Sequence, residues 1–210
     1  MDLADLLSGS PEEAAPQLLG TFLVSDVGGR TVKARVTEVE AYKGSDDPAS
    51  HAFRGRTGRN GSMFERPGTL YVYRSYGIHW CANVAAGPEG VGWGILFRAG
   101  EIVEGVAVAR GRRSREGDLA NGPGKLTQAL GVEHSHDGTY LLDGLGIIRL
   151  EPGPPPELIM ATPRVGISQA ADRPWRFVEV THGGSGGRPP DLSATRSART
   201  SDTPRLRSSR

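Results

Sequence analysis

The chain has 210 residues with a formal net charge of +1, and it contains 30 glycines and 15 prolines. Glycine and proline are together about twice as frequent as in an average protein, and both are unfavourable inside helices and strands. This composition excludes a helical bundle. We expect one domain built from short elements that are joined by many turns.

The single cysteine, Cys81, excludes an internal disulfide and argues against a cysteine-based zinc site, which fits a reducing compartment. The first twenty residues lack the basic and apolar regions of a signal peptide, and no segment approaches eighteen consecutive apolar residues. We therefore expect a soluble, cytoplasmic protein without a membrane partner.

Charge is concentrated at the end of the chain. Residues 183–210 contain six arginines and two aspartates, a charge of +4, so the preceding residues carry −3. With two leucines and no aromatic residue, this segment cannot bury enough apolar surface to offset its ordering entropy. We predict a domain over 1–182 and a disordered basic tail over 183–210. The tail is interpreted as a solubilising extension or, less favoured, as an electrostatic tether for nucleic acid.

The predicted elements begin with a helical entry over 1–20, in which Ser10 is a helix cap and Pro11 occupies the first turn. Runs rich in Val, Thr, Tyr and Phe then predict strands. They cover 21–25, 30–41, 68–74, 78–86, an apolar run within 95–108, 146–150 and 176–180, with a short helix at 126–130. The predicted fold class is α+β: a single domain with a curved, mainly antiparallel β-sheet, flanking short helices and a protruding β-hairpin.

The segment RVTEVEAY alternates in a way that predicts one strand face bearing Val36, Glu38, Glu40 and Tyr42. Two carboxylates would then share a face with an aromatic ring. The residues alone allow a solvated sheet face, or a general base beside an aromatic platform.

A long polar stretch over 43–68 follows that strand. Loops longer than about fifteen residues inside a compact domain are usually functional or disordered. This loop carries His51 and three arginines, and the pair Met63-Phe64 could anchor it so that it folds over a ligand. A merely solvated loop is the alternative.

The next segment, TLYVYRSYGIHWCANV, predicts a hairpin with its turn at 75–77 and Tyr76 at the tip. An exposed aromatic tip either folds back onto the sheet or serves as a wedge between stacked bases. Each strand of the hairpin presents an apolar face and a more polar one, and Cys81 is expected to pack as a small buried residue.

Several motifs are missing from the chain. It lacks a phosphate loop, a dinucleotide-binding glycine motif, the zinc deaminase signature and the HExxH motif. Carboxylate chemistry without a metal remains.

Five segments in order carry a resemblance to a known family: VEAYKGSDDPASHAFRGRTGRN, MFERPGTLYVYRSYGIHWCANV, ILFRAGEIVEG, NGPGKLTQALG and PRVGISQAADRPWRFV. Over about residues 18–180 the chain resembles the alkyladenine (3-methyladenine) DNA glycosylases of the methylpurine type. Gly58 stands where proline is common, and Gly61-Ser62 stand where bulkier residues are usual. These departures put the substrate range in question, but no matched site position is altered.

The resemblance implies a catalytic set. Glu40 is the expected general base that activates a water for attack on the anomeric carbon. Arg98 and the backbone carbonyl of Val165 are expected to hold that water. By the same resemblance Tyr76 is the wedge that replaces a flipped base in the duplex.

The resemblance also implies a substrate pocket. Tyr42, His51 and Tyr73 are the expected walls that stack the flipped base. Asn83 is the expected steric gate against the 2-amino group of guanine, and Leu96 the expected lining residue.

The function implied is a monofunctional DNA-3-methyladenine glycosylase that flips damaged purines out of double-stranded DNA and leaves an abasic site. The resemblance assigns a nucleophilic role to none of the three lysines, and we expect no metal or organic cofactor. The loop arginines and those at 110–115 are expected to contact DNA phosphates. The loop arginines are Arg54, Arg56 and Arg59. A solvated face without contact to DNA is the alternative for these arginines.

We further expect a monomer that acts on the bacterial nucleoid. Two alternatives stay open: a catalytically silent module that binds damaged DNA, and a hydrolase of free nucleosides. The charge of −3 on residues 1–182 is a mild objection to DNA binding unless charge is segregated by face.

Overall fold

The computed structural model of the protein describes residues 2–113 and 117–180, so the predicted tail over 183–210 lies outside the described residues. The helices are α1 (Leu3–Leu7), α2 (Pro11–Leu18), α3 (Val106–Arg112) and α4 (Pro123–Leu130). The strands are β1 (Phe22–Ser25), β2 (Val32–Lys43), β3 (Leu70–Ser75), β4 (His79–Ala86), β5 (Trp93–Glu104), β6 (Ile148–Glu151), β7 (Ile159–Thr162) and β8 (Arg176–Glu179). Short 3₁₀ turns lie at Val27–Gly29, Gly44–Asp46, Gly61–Phe64 and His134–His136.

All eight strands belong to one antiparallel sheet with the order β3-β4-β5-β2-β1-β6. The long strand β2 pairs with β5 along one edge, and along the other it pairs first with β1 and then with β8. Strand β7 extends the sheet beyond β8. The result is a single α+β domain with a curled sheet, as the sequence predicts.

The main core lies between the helices and one face of this sheet. Alternate residues of the central strands, such as Val39, Ile95 and Phe97, are fully buried there. Leu18 of α2 and Leu126 of α4 pack in the same cluster. Because the helices cover this face, the opposite face of β2, β4 and β5 is left for other side chains.

The loop over 43–68 covers part of that opposite face. Met63 and Phe64 are buried in a second small cluster with Ala52 and Tyr71. Burying an apolar side chain of this size stabilises the fold by about 1.5–3 kcal/mol, which offsets the entropy of ordering several loop residues. The predicted anchoring role of Met63-Phe64 is confirmed.

The strand face predicted for Val36 is wrong. Val36 is buried in the main core. On the opposite face, Tyr42 hydrogen-bonds to Glu40, and Arg98 forms ion pairs with both Glu38 and Glu40. The register of β2 against β5 shifts on both sides of Glu38. This irregularity changes the phase of the strand, because one extra residue moves every later side chain to the other face.

The chain differs from the predicted elements at two further points. The apolar run over 95–108 is split, because β5 ends at Glu104 and α3 starts at Val106. Gly105 between them has φ 73°, and an added Cβ there would lie 2.1 Å from the carbonyl oxygen of Thr31, so this position requires glycine. Strand β7 is not predicted from the sequence.

Within the described residues, the helices are all too short or too polar to cross a membrane.

Candidate active site

The carboxylate of Glu40 lies at the centre of the open face of the sheet, and the residue is 0% exposed. It accepts hydrogen bonds from the Tyr42 hydroxyl at 2.7 Å on Oε2 and from the Val165 backbone N–H at 2.8 Å on Oε1. The guanidinium of Arg98 is 3.2 Å from the same Oε1. The interpretation of this strand face as solvated is therefore wrong for Glu40.

Arg98 and Glu38 form a charged layer next to Glu40. Arg98 Nε donates to Glu38 at 2.6 Å, and Arg176 Nε donates to the same carboxylate oxygen at 2.6 Å. Burial opposes the charge on Arg98, but Glu40 and Glu38 outweigh it and raise the pKa of Arg98. Burial likewise opposes ionisation of Glu38, and the two arginines nevertheless hold its pKa below the usual range.

Val165 belongs to a segment after β7 that closes over the end of β2. The resemblance assigns its carbonyl to a water, whereas the contact in the structure is made by its N–H, which donates directly to Glu40. The Val165 side chain is half exposed, and the residue lines the cavity together with Gly166 and Ile167.

Aromatic rings form the walls of that cavity. The His51 and Tyr73 rings meet edge to face at 4.4 Å between centroids, and Tyr71 stacks on Tyr73 at 5.5 Å. His51 Nδ1 is 3.1 Å from the Tyr71 hydroxyl. Tyr42 lines the cavity and hydrogen-bonds to Glu40. The structure therefore brings together the three side chains that the resemblance names as stacking walls.

Burial changes the ionisation of these rings. It raises the pKa of Tyr71 to about 12, and it raises the pKa of Tyr42 and of Tyr73 further, with the Glu40 carboxylate adding to the effect at Tyr42. Desolvation and the Arg59 guanidinium lower the pKa of His51. The walls are thus neutral tyrosines and a neutral histidine near pH 7.

The floor of the cavity comes from β4 and β5. Asn83 is buried, lines the cavity and donates from Nδ2 to the Tyr71 carbonyl oxygen at 3.2 Å. Leu96 lies directly opposite both Asn83 and Glu40, so its side chain is on the same face of the sheet, between them. It is buried by its neighbours and is not among the residues that line the cavity, so the expected lining role is wrong. Cys81 is buried and lines the cavity, and burial raises the pKa of its thiol.

The cavity has a volume of about 930 Å³ and is open to solvent on one side. The loop over 43–68 supplies one side of it, which includes Thr57, Gly58, Arg59 and Asn60. Arg54, Arg56 and Arg59 are exposed. Asn60 orders this loop, since its side chain donates to the His51 and Gly55 carbonyl oxygens and accepts from the Thr57 N–H.

The hairpin of β3 and β4 ends at the cavity mouth. Its turn spans residues 76–78, one residue later than predicted, and Tyr76 is 89% exposed. The alternative in which Tyr76 folds back onto the sheet is therefore wrong. Tyr76 has φ 49° and Gly77 has φ 67°. Two consecutive residues with positive φ suit a tight β-hairpin turn, but this conformation is uncommon for a residue other than glycine, such as Tyr76.

Sequence reasoning missed the pair Asp47 and Arg164. Both side chains are 0% exposed and they form two hydrogen bonds with each other at 2.5 and 2.8 Å. The two residues are 117 positions apart, so spacing gives no signal. Both fall within the segments that carry the family resemblance, which is the one sequence signal that could have found them.

Arg112, which is expected to contact phosphate, and Lys125 both have partners within the protein. Arg112 donates to the carbonyl oxygens of Ala129 and Val27, at 3.2 and 2.6 Å, so it joins α3 to α4. Lys125 hydrogen-bonds to Asn121 at the start of α4. Arg115 lies outside the described residues. Because its terminal nitrogens already donate to carbonyl oxygens of the protein, Arg112 is not free to contact phosphate.

The assembled site combines a buried carboxylate, an arginine and a backbone N–H behind an aromatic cavity. In the described part of the chain, no group of three or more His, Cys, Asp or Glu side chains converges to hold a metal ion. The arrangement can bind a flat ring between aromatic walls and direct one carboxylate at an electrophile beside it.

The amino-acid sequence of this chain is similar to those of known proteins. A family profile described as methylpurine-DNA glycosylase (MPG) matches residues 5–182. A protein of Nocardia farcinica named "Putative 3-methyladenine DNA glycosylase" is 50% identical over 177 residues, which cover 80% of this chain and 82% of that protein. Proteins with the same name from Mycobacterium bovis and Burkholderia cenocepacia are each 46% identical, covering 83% and 79% of this chain and 87% and 81% of their own lengths. The chain belongs to the methylpurine-DNA glycosylase family.

Proposed function

We propose that the protein is a DNA repair glycosylase that hydrolyses the N-glycosidic bond of damaged purines and leaves an abasic site. The observation that carries the proposal is the buried Glu40 carboxylate, which has an arginine and a backbone N–H on one oxygen and a tyrosine hydroxyl on the other. Its three partners, Tyr42, Val165 and Arg98, all line the aromatic cavity.

The hydrogen bonds of Glu40 leave one position for a water. A carboxylate offers about four lone-pair sites. Oε1 accepts from the Val165 N–H and forms the ion pair with Arg98, whereas Oε2 accepts from the Tyr42 hydroxyl. A water that enters with the substrate can donate to the remaining site on Oε2. Because Glu40 is fully buried, bulk water does not occupy that position in the free protein, so binding of the substrate must admit the water.

The reaction that follows is hydrolysis. Water attacks the anomeric carbon while its proton passes to Glu40, the bond from that carbon to the purine nitrogen breaks, and the base leaves with the bonding electrons. Positive charge develops on the sugar in such a transition state, so a carboxylate beside it stabilises the charge as well as acting as the base.

Selectivity is proposed to come from the neutral aromatic walls. Alkylated purines are electron-poor or cationic, and stacking on an electron-rich ring favours a cation by about 0.5–2 kcal/mol. Tyr42, His51 and Tyr73 are placed to provide that contact. Asn83 lines the floor and is the proposed gate against a base with a 2-amino group, and Leu96 packs between Asn83 and Glu40 on the same face of the sheet.

Reaching a base inside duplex DNA requires its extrusion, and an inserted side chain keeps the gap open. Tyr76 supports this role because it is exposed, held at the end of a short hairpin, and next to the cavity mouth. The exposed Arg54, Arg56 and Arg59 lie in the loop that forms one side of the cavity, which Arg59 lines, and they are proposed to contact the phosphates of double-stranded DNA. A single cavity serves one flipped base, so the proposed acting form is a monomer.

A lyase reaction would need an amine nucleophile. The three lysines of the chain have other partners: Lys33 pairs with Glu151, Lys43 with Glu12, and Lys125 with Asn121. None of them is among the residues that line the cavity. This supports a monofunctional hydrolase.

The test is single-turnover release of hypoxanthine and of 3-methyladenine from labelled duplexes, followed by alkali to cleave abasic sites. We expect strand cleavage at the damaged position only after alkali, with an undamaged duplex of the same sequence as control. Binding without release of either base would favour the silent binding module. Release from free nucleosides but not from duplexes would favour the nucleoside hydrolase.

A further inference from the structure

The buried pair Asp47 and Arg164 joins two segments that are far apart in the chain. Asp47 lies in the loop after β2, and Arg164 lies in the segment after β7. Both terminal nitrogens of Arg164 donate to the two oxygens of Asp47, and both side chains are fully buried. Burial opposes ionisation of Asp47, but Arg164 outweighs it and keeps the pKa of Asp47 low, so both members are charged at neutral pH.

Arg164 also contacts the two residues that follow Glu40 in β2. Its Nη1 donates to the Ala41 carbonyl oxygen at 2.9 Å, and Ala41 lies between Glu40 and Tyr42. The guanidinium lies 4.7 Å from the centre of the Tyr42 ring. Its Nη2 reaches the Ala170 carbonyl oxygen at 3.3 Å. One side chain thereby fixes the end of β2 and the segment that closes over it.

The next residue in the chain makes the direct contact. Val165 follows Arg164, and its N–H donates to Glu40 at 2.8 Å. A change in the position of the Arg164 backbone must therefore move the Val165 N–H relative to the carboxylate. Among the described residues, Arg164 is the side chain that hydrogen-bonds to both Asp47 and the Ala41 carbonyl oxygen.

Stability alone is a weak explanation for this pair. Desolvation of two charges often cancels their attraction in the protein interior. The Nε of Arg164 is buried without a hydrogen-bond partner among the described residues, which adds to that cost. An apolar pair of similar volume could fill the same space, but it could not hold two carbonyl oxygens and an aspartate.

We propose that Asp47 and Arg164 are positioning residues for the reaction, which orient Val165 and Tyr42 so that both donate to Glu40. The inference rests on the proposed function, because its kinetic readout is base release. It assigns neither residue a contact with DNA. It predicts that disturbing the pair impairs the chemical step while leaving binding of the duplex in place.

The test uses Arg164→Lys, which keeps the charge but cannot form the two-pronged contact with Asp47 and also reach Ala41. Arg35→Lys is the matched control. Like Arg164, Arg35 pairs with a largely buried carboxylate, that of Glu179, and also contacts a carbonyl oxygen, that of Pro154. Both variants are compared with the full-length wild type for melting temperature, affinity for a duplex with an abasic-site analogue, and single-turnover release.

We expect Arg164→Lys to lower the single-turnover rate about 10²-fold, the loss that a misplacement of about 1 Å can cause. Duplex affinity should change by less than about 3-fold, because the lost interaction acts in the transition state. The acidic limb of the pH–rate profile should move to higher pH, since a lost donor disfavours the ionised carboxylate. In a Glu40→Gln background the same substitution should cause no further loss. Arg35→Lys should keep the wild-type rate and profile.

A second readout does not depend on activity. Amide hydrogen exchange at Val165 should be protected in the wild type and in Arg35→Lys, and faster in Arg164→Lys, while the amides of β5 stay protected in all three. Equal exchange at Val165 in all proteins would overturn the inference. So would equal rates for Arg164→Lys and Arg35→Lys when the wild type releases base.

If the proposed function fails, the wild type itself releases no base. Amide exchange at Val165 would then still test whether Asp47 and Arg164 hold the Val165 N–H in place. If Arg164→Lys does not fold, Asp47→Asn is used, since it keeps the shape and hydrogen-bonding atoms of the aspartate. If neither variant folds while Arg35→Lys does, the pair is required for folding and the positioning role is rejected.

Discussion

The surroundings of Glu40 and the tip of the β3–β4 hairpin differ in almost every physical respect, although both border one cavity. Glu40 is 0% exposed and its two hydrogen bonds and one ion pair come from three different parts of the chain, whereas Tyr76 is 89% exposed. A fully fixed carboxylate is preorganised for a chemical step. An exposed ring on a short turn is free to enter another molecule. This contrast supports the proposal that the chemical step and the extrusion of the base are carried out by separate elements.

The largest expected effect is on the chemical side of this comparison. Glu40→Gln keeps the shape of the side chain but removes the base, so the single-turnover rate of base release should fall about 10³-fold, within the range for general base catalysis. The exposed Glu104→Gln serves as control and should keep the wild-type rate. A rate for Glu40→Gln within a factor of ten of wild type would contradict the assignment.

On the hairpin side, Tyr76→Ala should lower kcat/KM about 10- to 100-fold, because stabilising an unstacked base step requires a few kcal/mol. The melting temperature should not change, since the exposed ring contributes little to the fold. Tyr76→Phe keeps the ring and should retain most of the activity. Equal losses for both variants would show that the hydroxyl, and not the wedge, matters.

The floor of the cavity offers a test of selectivity. Asn83→Ala should raise the release of guanine at least about 10-fold, because a pocket that loses a blocking group admits the larger base. The Tyr71 carbonyl oxygen would lose its partner, which costs about 1–3 kcal/mol of stability. The exposed Asn121→Ala should leave both properties unchanged. Unchanged guanine release in Asn83→Ala would rule out the gate.

The charged layer predicts how stability responds to acid. The pKa of Glu38 and that of Asp47 are both lowered in the folded protein. Their stabilising contribution is therefore complete above the unfolded values of about 4 and is lost as the pH falls through the lower folded values. In urea unfolding between pH 6 and 3, Glu38→Gln should be less stable than wild type near pH 6 and should lose less stability towards pH 3. Parallel curves would contradict this.

The smallest effect is expected from the tail. Deleting residues 183–210 should change affinity for duplex DNA by less than about 3-fold at physiological salt, because a solubilising extension makes no specific contact. A larger loss that disappears at high salt would establish the electrostatic tether instead.

Much of the fold was readable from local signals. Turn residues and β-branched runs give most strands, and the pair Met63-Phe64 gives the anchor of the long loop. The alternating pattern fails at Val36 because the register shifts beside Glu38 are set by pairing with β5, and a strand read in isolation does not reveal its partner. Strand β7 is missed for a similar reason, since its only partner is another short strand, β8.

The site shows the same limit. Glu40, Tyr42 and the loop with His51 are close in sequence, so their association could be predicted. Val165 lies 125 residues from Glu40, and its contact uses a backbone N–H that any residue other than proline could supply. Local patterns contain no information about such a contact. Family resemblance identified Val165, but it pointed to the carbonyl and not to the N–H.

The central claim is that Glu40 performs the chemistry while the hairpin extrudes the base. The most direct measurement is stopped-flow fluorescence of a duplex with 2-aminopurine next to hypoxanthine, mixed with Glu40→Gln, with base release followed in parallel. The account predicts a rise in fluorescence with the wild-type rate and amplitude, and release slowed about 10³-fold. Release at the wild-type rate, or loss of the fluorescence change in Glu40→Gln, would contradict it.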